Sequence, residues 1–239
     1  MTGEQIVPIA GKAASEAGKM KKKKAATLEE AVSHLRDGAT VLIGGFGYGG
    51  VPEHLIEGIC GRGLRNLTIV NNNAGTGRTG IARLLEEGCV GKIICSFPFA
   101  AESVVFKAMY EAGKVDLEVV PQGTLAERMR NAGAGLGGFL TPTGVGTEIA
   151  EGKAEFTVDG KRYIMEKPLR GDFALVKAFK VDPRGNLVYR KGARNFNPVM
   201  AMAADFTIAE VKEEVPLGAL DPEVIVTPSV YVDCYYVTG

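Results

Sequence analysis

Five of the seven residues between positions 44 and 50 are glycine, in the run Gly44-Gly45-Phe46-Gly47-Tyr48-Gly49-Gly50. This glycine loop follows the apolar run Thr40–Ile43 and precedes Pro52, so it is predicted to join a buried strand to the first turn of a helix. Glycine lets the backbone approach a ligand closely and leaves N–H groups directed at it. Such a loop can hold a phosphate, a pyrophosphate or a carbonyl oxygen.

Three of these glycines also match the phosphate-binding pattern G-x-G-x-x-G of dinucleotide-binding folds, namely Gly45, Gly47 and Gly50. That pattern requires an acidic residue about 20 positions further on, where it holds a ribose hydroxyl. The next apolar run, Leu67–Val70, is followed by three asparagines instead. An NAD-dependent oxidoreductase that uses this loop is therefore an alternative function, although the sequence lacks the acidic residue that the pattern requires. A second alternative is that the loop is a tight turn that binds no ligand. So many glycines increase the conformational entropy lost on folding, which argues against a mere turn.

The elements that would position this loop alternate between strand and helix over residues 27–132. The predicted strands are Thr40–Ile43, Leu67–Val70, Lys92–Cys95 and Leu117–Val120, and the predicted helices are Pro52–Cys60, Gly80–Glu87, Ala101–Ala112 and Leu125–Ala132. A spacing of about 25 residues between strands predicts βαβ units. The fold class is therefore α/β, an open, mainly parallel sheet with flanking helices.

In such sheets ligands bind beyond the carboxyl ends of the strands. The segments predicted at that edge are the glycine loop, Asn71–Gly77, Ser96–Phe99 and Pro121-Gln122-Gly123.

The second half of the chain has more strand character. Asp159-Gly160 predicts a hairpin turn between strands Glu155–Val158 and Lys161–Met165. Further strands are predicted at Phe173–Phe179, Leu187–Tyr189 and Phe206–Val211, with a helix at Pro198–Ala204. We expect a β-rich portion on or beside the parallel sheet.

Composition limits the classes of function. Lys plus Arg and Asp plus Glu number 28 each among 239 residues, which argues against nucleic acid as the main partner. No apolar run has the length of a membrane span. The four cysteines are scattered and the chain has two histidines, so no metal site is predicted. Free thiols favour a cytoplasmic location.

Residues 1–24 are predicted to be a flexible extension, and residues 25–239 a single domain. The extension is rich in Ala, Gly and Lys and ends in Lys21-Lys22-Lys23-Lys24, which is typical of a solvated tail. Met20 is then a candidate for the natural start of the protein.

Several motifs resemble, in the same order, those of the family I coenzyme A transferases. They are Asp37 to Phe46 with Gly50 and Pro52, Asn71-Asn72-Asn73-Ala74-Gly75, Val120 to Arg128, Thr141 to Thr147, and Ala193-Arg194-Asn195-Phe196-Asn197-Pro198. The resemblance runs from about residue 27 to the C-terminus. It is strongest with the alpha-type subunits of 3-oxoacid and 3-oxoadipate CoA-transferases.

The resemblance implies that CoA is moved between carboxylic acids by a ping-pong route. A glutamate becomes a glutamyl-CoA thioester, and in this family it lies on the beta subunit, near a Ser-Glu-Asn-Gly motif. This chain has no such motif. A beta subunit is therefore the expected partner, and a CoA thioester is the expected substrate, with no permanently bound cofactor. A catalytic role is not assigned to the chain's own Glu53, Glu102 or Glu127.

The resemblance also assigns site residues. Gln122 is the expected donor of an oxyanion hole, and the glycine loop Gly44–Gly50 is expected to contact CoA. The side chains of Asn71, Asn72 and Asn73 either bind the acyl part or turn the chain.

Phe99 stands where the oxoadipate-type subunits carry a basic residue, and a phenyl ring cannot pair with a second carboxylate. A monocarboxylic acid such as acetoacetate, acetate or butyrate is therefore a competing substrate. A non-catalytic acyl-CoA or sugar-phosphate binding module is a further alternative.

Overall fold

The computed structural model describes residues 23–239. The helices are α1 Leu28–Val32, α2 Glu53–Arg62, α3 Ile81–Glu86, α4 Val104–Glu111, α5 Gln122–Gly133 and α6 Asn197–Ala203. The strands are β1 Thr40–Ile43, β2 Leu67–Val70, β3 Val90–Cys95, β4 Asp116–Val119, β5 Phe139–Thr141, β6 Glu155–Val158, β7 Lys161–Glu166, β8 Gly171–Val181, β9 Leu187–Val188, β10 Ala204–Glu214 and β11 Cys234–Val237.

The main sheet has eight strands and follows the order β11-β10-β8-β1-β2-β3-β4, with β9 attached to β8. Every neighbouring pair along that order is parallel, whereas β9 is antiparallel to β8. The predicted α/β class with a mainly parallel sheet is therefore confirmed. A second sheet, β5-β7-β6, is antiparallel and includes the predicted hairpin.

Helices cover both faces of the main sheet, as a parallel sheet requires. On one face α1 to α4 bury Ala31, Leu55, Leu84 and Phe106 against the sheet. On the other face α5 and α6 bury Leu125, Met129 and Met200. Side chains of β1 alternate between the two cores, because successive strand residues point to opposite faces.

The strand order reverses between β1 and β8. From β1 the chain adds β2, β3 and β4 on one side, and later returns to place β8, β10 and β11 on the other. The predicted β-rich second half thus divides, since most of its long strands complete the main sheet and only β5 to β7 lie beside it. A crevice at such a switch point is the usual ligand site of an open α/β sheet.

Most of the predicted extension lies outside the described residues. Lys23 and Lys24 are described, and they run beside β11, where Tyr235 N donates to the Lys23 carbonyl at 2.8 Å. The four cysteines form no disulfide. Within residues 23–239 no helix combines the length and the apolar character that crossing a bilayer requires.

A buried carboxylate fixes the start of α2. Glu210 of β10 is 1% exposed and accepts hydrogen bonds from His54 N at 2.8 Å and Leu55 N at 3.3 Å. Its other oxygen lies 2.9 Å from Lys177 Nζ. The negative charge thus satisfies two N–H groups that have no acceptor within the helix, and it lies at the positive end of the helix dipole.

Replacing this carboxylate tests how strongly it holds the sheet and α2 together. We expect Glu210→Ala to lower the free energy of unfolding by about 3–5 kcal/mol, because it leaves buried donors and Lys177 without their acceptor. Glu213→Ala is the matched control, since Glu213 lies on the same strand and pairs with Lys180 at 3.5 Å but is half exposed. Its cost should be about 0–1 kcal/mol. Equal losses in urea unfolding would contradict this assignment.

Candidate active site at the carboxyl edge of the sheet

The glycine loop leaves β1 at the switch point and folds back on itself. Phe46 N donates to Gly49 O at 2.9 Å, and Gly49 N donates to Phe46 O at 3.0 Å. The Asn195 side chain holds the loop from the other side of the crevice. Its Oδ1 accepts from Gly45 N at 3.2 Å, and its Nδ2 donates to Gly49 O at 2.9 Å.

Asn197 fills the space that the glycines leave. It is fully buried, its Nδ2 donates to Gly50 O at 3.1 Å and Ala193 O at 2.8 Å, and its Oδ1 accepts from Lys177 N at 2.8 Å. A Cβ at Gly44 would lie 1.8 Å from that Oδ1. A Cβ at Gly50, where φ is +74°, would lie 2.8 Å from Ala193 O. Packing therefore explains these two glycines.

Gly47 differs from the glycines that packing explains. Its φ is +57°, and a Cβ there would meet nothing within 4 Å. The backbone around Gly47 is therefore the part of the loop that remains open to an approaching molecule.

The three asparagines after β2 have separate tasks, and all three are buried. Asn71 Nδ2 donates to the last carbonyl of β1, Ile43 O, at 2.6 Å, and Asn71 Oδ1 accepts from Asn73 N at 2.9 Å. Asn73 Oδ1 accepts from Gly75 N at 3.0 Å. The side chains of Asn71 and Asn73 thus bond to the backbone and turn the chain.

Asn72 connects three strand ends. Its carbonyl accepts from Ser96 N at 3.1 Å and Phe97 N at 3.0 Å, after β3. Its Oδ1 accepts from Ser96 Oγ at 2.8 Å and from Gln122 Nε2 at 2.7 Å, beyond β4. The buried amide therefore fixes the orientation of Gln122.

Gln122 is the first residue of α5, which begins three residues earlier than the sequence predicts. Its side chain is exposed, and one of the two N–H bonds of its amide is directed to Asn72. The other remains for a further acceptor. The first N–H groups of α5 point out of the same end, where the helix dipole favours negative charge.

Exposed aromatic side chains surround this edge. The exposed fractions are 51% for Phe46, 65% for Tyr48, 60% for Phe97 and 53% for Phe99. Phe99 rests on α4, with its ring centroid 5.6 Å from that of Phe106 and 5.8 Å from that of Tyr110. Exposed aromatic side chains in such number are typical of an interaction surface.

Glu53 lies in the first turn of α2, as predicted. It also lines the small cleft beside the glycine loop. Its Oε2 accepts from Gly80 N at 2.9 Å. Burial raises the pKa of Glu53 above its usual value, while the bond from Gly80 and the charge of Lys177 lower it. The small cleft between the glycine loop and residues 71–81 measures about 10 Å³, which is close to the space for one water. A larger ligand would lie across its mouth.

The structure thus places the glycine loop beside Asn71 and Asn73 in one cleft, and it joins Asn72 to Gln122. Phe99 packs on α4. Sequence reasoning from the residues did not assign roles to Ser96, Asn195 and Asn197. For Asn195 and Asn197, the sequence pattern that could have indicated a role is the motif Ala193 to Pro198. In it two asparagines flank a phenylalanine just before a helix.

A pair of alanine substitutions tests the packing account of the loop. We expect Gly44→Ala to destabilise the protein by about 1–3 kcal/mol, since its Cβ must displace Asn197 from three hydrogen bonds. Gly49→Ala is the matched control, because its nearest neighbour would be Phe46 O at 3.5 Å, an ordinary contact. Thermal unfolding should separate the two variants. A Gly44→Ala protein as stable as Gly49→Ala would mean that Asn197 does not hold the loop.

Among solved structures, the chain is similar to an acyl-CoA transferase (YdiF) of Escherichia coli O157:H7 determined as a thioester complex with CoA. The TM-score is 0.79 at 24% identity, over 90% of this chain and 47% of the other. This chain therefore spans about half the length of that protein, and the likeness concerns the fold.

Sequence comparison gives nearer relatives. The chain is 60% identical over 210 residues to the A-type subunit of the 3-oxoadipate CoA-transferase of Acinetobacter baylyi, covering 88% of this chain and 92% of that protein. It is 47% identical over 209 residues to the A-type subunit of the succinyl-CoA:3-ketoacid coenzyme A transferase of Helicobacter pylori, covering 87% and 89%. The family model for coenzyme A transferases matches residues 25–235. The chain belongs to the coenzyme A transferase family.

Proposed function

We propose that this chain is the alpha-type subunit of a heteromeric CoA-transferase that moves CoA between a 3-oxoacid and a second carboxylic acid. The observation that carries the proposal is the 2.7 Å bond from Gln122 Nε2 to the buried Asn72 Oδ1, which joins the segments that follow β4 and β2. It holds an amide donor at the sheet edge where ligands of this fold class bind. The names of the relatives support the same activity.

The proposed reaction proceeds in two halves through a glutamate of the partner subunit. Its carboxylate attacks the thioester carbonyl of the donor, and CoA leaves as a thiolate. The thiolate then attacks the glutamyl carbonyl, which releases the donor acid and leaves a glutamyl-CoA thioester. The acceptor acid reverses these steps and departs as its CoA ester.

Gln122 is proposed to stabilise the charge that develops on the carbonyl oxygen during each attack. The free N–H of its amide and the N-terminus of α5 face the same space, so both favour an oxyanion there. One such donor is worth roughly 3–4 kcal/mol of transition-state stabilisation. Asn72 is a positioning residue, since it restricts the Gln122 amide without facing that space itself.

The nucleophile is proposed to come from the partner, because the candidate glutamates of this chain are otherwise engaged or remote. Glu53 is bonded to Gly80 N, and Glu127 forms a close ion pair with Arg130 on the exposed side of α5. The exposed aromatic rings around the edge offer a surface for the partner, whose glutamate would then face Gln122. The unpaired thiols fit the reducing cytoplasm.

The chain alone should be inactive. We expect no transfer of CoA from succinyl-CoA to acetoacetate, 3-oxoadipate or acetate by the purified protein, because it lacks the nucleophile. Co-expression with the adjacent gene product should restore activity, and trapping with labelled CoA should place the thioester on the partner chain. Turnover by the isolated chain would contradict the heteromeric assignment.

Removing the Gln122 amide should lower kcat and kcat/KM together. We expect a loss of roughly 10²–10³-fold for Gln122→Ala in the reconstituted complex, because the donor acts mainly in the transition state. Glu127→Ala, on the exposed side of the same helix, should retain normal rates. A rise in KM with unchanged kcat would show that Gln122 binds the ground state instead.

The acid that is used should depend on residue 99. Phe99 offers no charge to a second carboxylate, although relatives of this chain include 3-oxoadipate enzymes. We expect Phe99→Arg to raise kcat/KM for 3-oxoadipate relative to acetoacetate by about 10–100-fold, the value of one charge-assisted hydrogen bond. Phe97→Arg places the same charge two residues away and should not change the ratio. An unchanged ratio in Phe99→Arg would exclude this position from the acid pocket.

A further inference from the structure

Two of the four cysteines face each other across the packing of α2 against the sheet. Cys60 lies near the end of α2, and Cys89 comes directly before β3. The thiol of each is the hydrogen-bonding partner of the other. Cys95 and Cys234 have no second thiol as a partner within residues 23–239. The fold therefore places one pair of thiols side by side.

The backbone holds both members of this pair in place. Gly63 N donates to Cys60 O at 3.0 Å where α2 ends. Cys89 N donates to Leu84 O at 3.0 Å, and Cys89 O accepts from Leu67 N at 2.9 Å. The contact between the thiols thus joins the last turn of α2 to the segment between α3 and β3.

The two thiols differ in their access to solvent. Cys89 is fully buried, whereas Cys60 is partly exposed and lines the groove between α2 and α3. This groove has a volume of about 430 Å³, and a single water needs about 10–15 Å³ of such space. A molecule as small as hydrogen peroxide can therefore enter the groove and reach the sulfur of Cys60.

The surroundings of the pair favour the loss of one proton. The hydrogen bond from the Cys60 thiol lowers the pKa of Cys89 to about 7, against the opposing effect of burial. The Arg65 guanidinium, whose Nη1 lies 3.9 Å from Cys89 Sγ, lowers this pKa further. The charge of Glu87 raises the pKa of both thiols, and that of Arg83 lowers the pKa of Cys60.

The second proton stays on the pair. The contact with Cys89, together with burial, raises the pKa of Cys60 above its usual value. The remaining proton is therefore shared between two adjacent sulfurs. When that proton lies on Cys89, the negative charge lies on Cys60, which is the sulfur that the groove exposes.

The other two cysteines lack these conditions. Burial raises the pKa of Cys95 to about 12 and that of Cys234 to about 11. A thiol that keeps its proton at neutral pH is a poor nucleophile. Cys95 and Cys234 are therefore internal references for the reactivity of the pair.

We propose that Cys60 and Cys89 form a reversible oxidation site, at which hydrogen peroxide from the groove converts the two thiols into a disulfide. The site is separate from the proposed transfer chemistry. Cys60 lies seven residues beyond Glu53 in α2, which is about 10 Å along the helix axis.

The proposed oxidation proceeds in two steps. The Cys60 sulfur attacks one oxygen of the peroxide, so that an S–O bond forms and the O–O bond breaks. The hydroxide that leaves takes the shared proton from Cys89 and becomes water. The Cys89 thiolate then attacks the Cys60 sulfur, the S–S bond forms, and the S–O bond breaks to release a second hydroxide, which solvent protonates. Two thiols are oxidised and the peroxide is reduced to two waters, and a dithiol reverses the oxidation.

The test treats the reconstituted complex with hydrogen peroxide and maps its peptides by mass spectrometry. We expect a disulfide-linked peptide pair that contains Cys60 and Cys89, which dithiothreitol converts back to free thiols. Cys95 and Cys234 should stay reduced. A disulfide with any other pairing, or four free thiols after treatment at pH 8, would overturn the proposal.

The pH dependence tests the shared proton. The rate of disulfide formation should rise about 10-fold between pH 6 and pH 8 and then level off, because the singly charged pair forms as the pH passes about 7. A rate that continues to rise about 10-fold for each pH unit above pH 8 would overturn the proposed attack by this pair.

Two variants separate the roles of the sulfurs. In Cys89→Ala the sulfenic acid on Cys60 has no thiol to condense with, so Cys60 should proceed to the sulfinic acid, which dithiothreitol does not reverse. In Cys60→Ser the buried Cys89 should stay reduced. Cys234→Ser is the matched control and should form the disulfide at the normal rate. Reversible oxidation of Cys60 in Cys89→Ala, to the same extent as in the unmodified chain, would overturn the proposal.

Discussion

The contact between Gly44 and Asn197 is the constraint on which the site depends. Asn197 is buried in the position that a side chain at residue 44 would occupy. From there its amide bonds to three backbone groups, which are Lys177 N on β8, Gly50 O in the glycine loop and Ala193 O before α6. A buried amide has to satisfy its hydrogen-bonding groups inside the protein. This requirement holds β8 and the glycine loop that follows β1 in one arrangement.

The same arrangement explains why a glycine-rich loop is compatible with a defined site. Glycine lowers the cost of unusual backbone conformations but increases the entropy lost on folding. Here the loss is offset by side chains from distant segments, since Asn195 lies 150 residues beyond Gly45 and Asn197 lies 147 beyond Gly50, and both bond to the loop from across the crevice. The loop is thus shaped by long-range contacts, and only the part around Gly47 remains open.

Local patterns predicted most elements of the fold. Thr40–Ile43 and Leu67–Val70 are strands with the predicted bounds, because short β-branched runs between turns leave few alternatives. The predicted end of the strand at Val211 was too early, since Lys212, Glu213 and Glu214 are polar. In the structure β10 continues through them, and Glu213 lies beside Lys180 of β8. Such cross-strand pairing depends on which strands are neighbours, and local patterns do not reveal that β10 lies beside β8.

The site was predicted less completely than the fold, for a related reason. Pro121-Gln122-Gly123 has the composition of a turn, yet it starts α5, because Pro121 occupies the cap and the apolar face of the helix begins immediately after it. The three asparagines look equivalent in sequence. Their roles differ only because Asn72 meets Ser96 and Gln122, which arrive from two other strands.

The chain contributes neutral donors at the sheet edge, the Gln122 amide and the N-terminus of α5, whereas its nearby carboxylates, Glu53 and Glu210, are bonded to backbone N–H groups. A free carboxylate of this chain at the same edge would repel the oxyanion that those donors are proposed to stabilise. The proposed reaction places the nucleophile on a second chain, so that each subunit keeps an electrostatic environment suited to its task. In that proposal the partner subunit holds the reactive carboxylate, and this chain holds the donors that stabilise the charge developing on the thioester carbonyl oxygen.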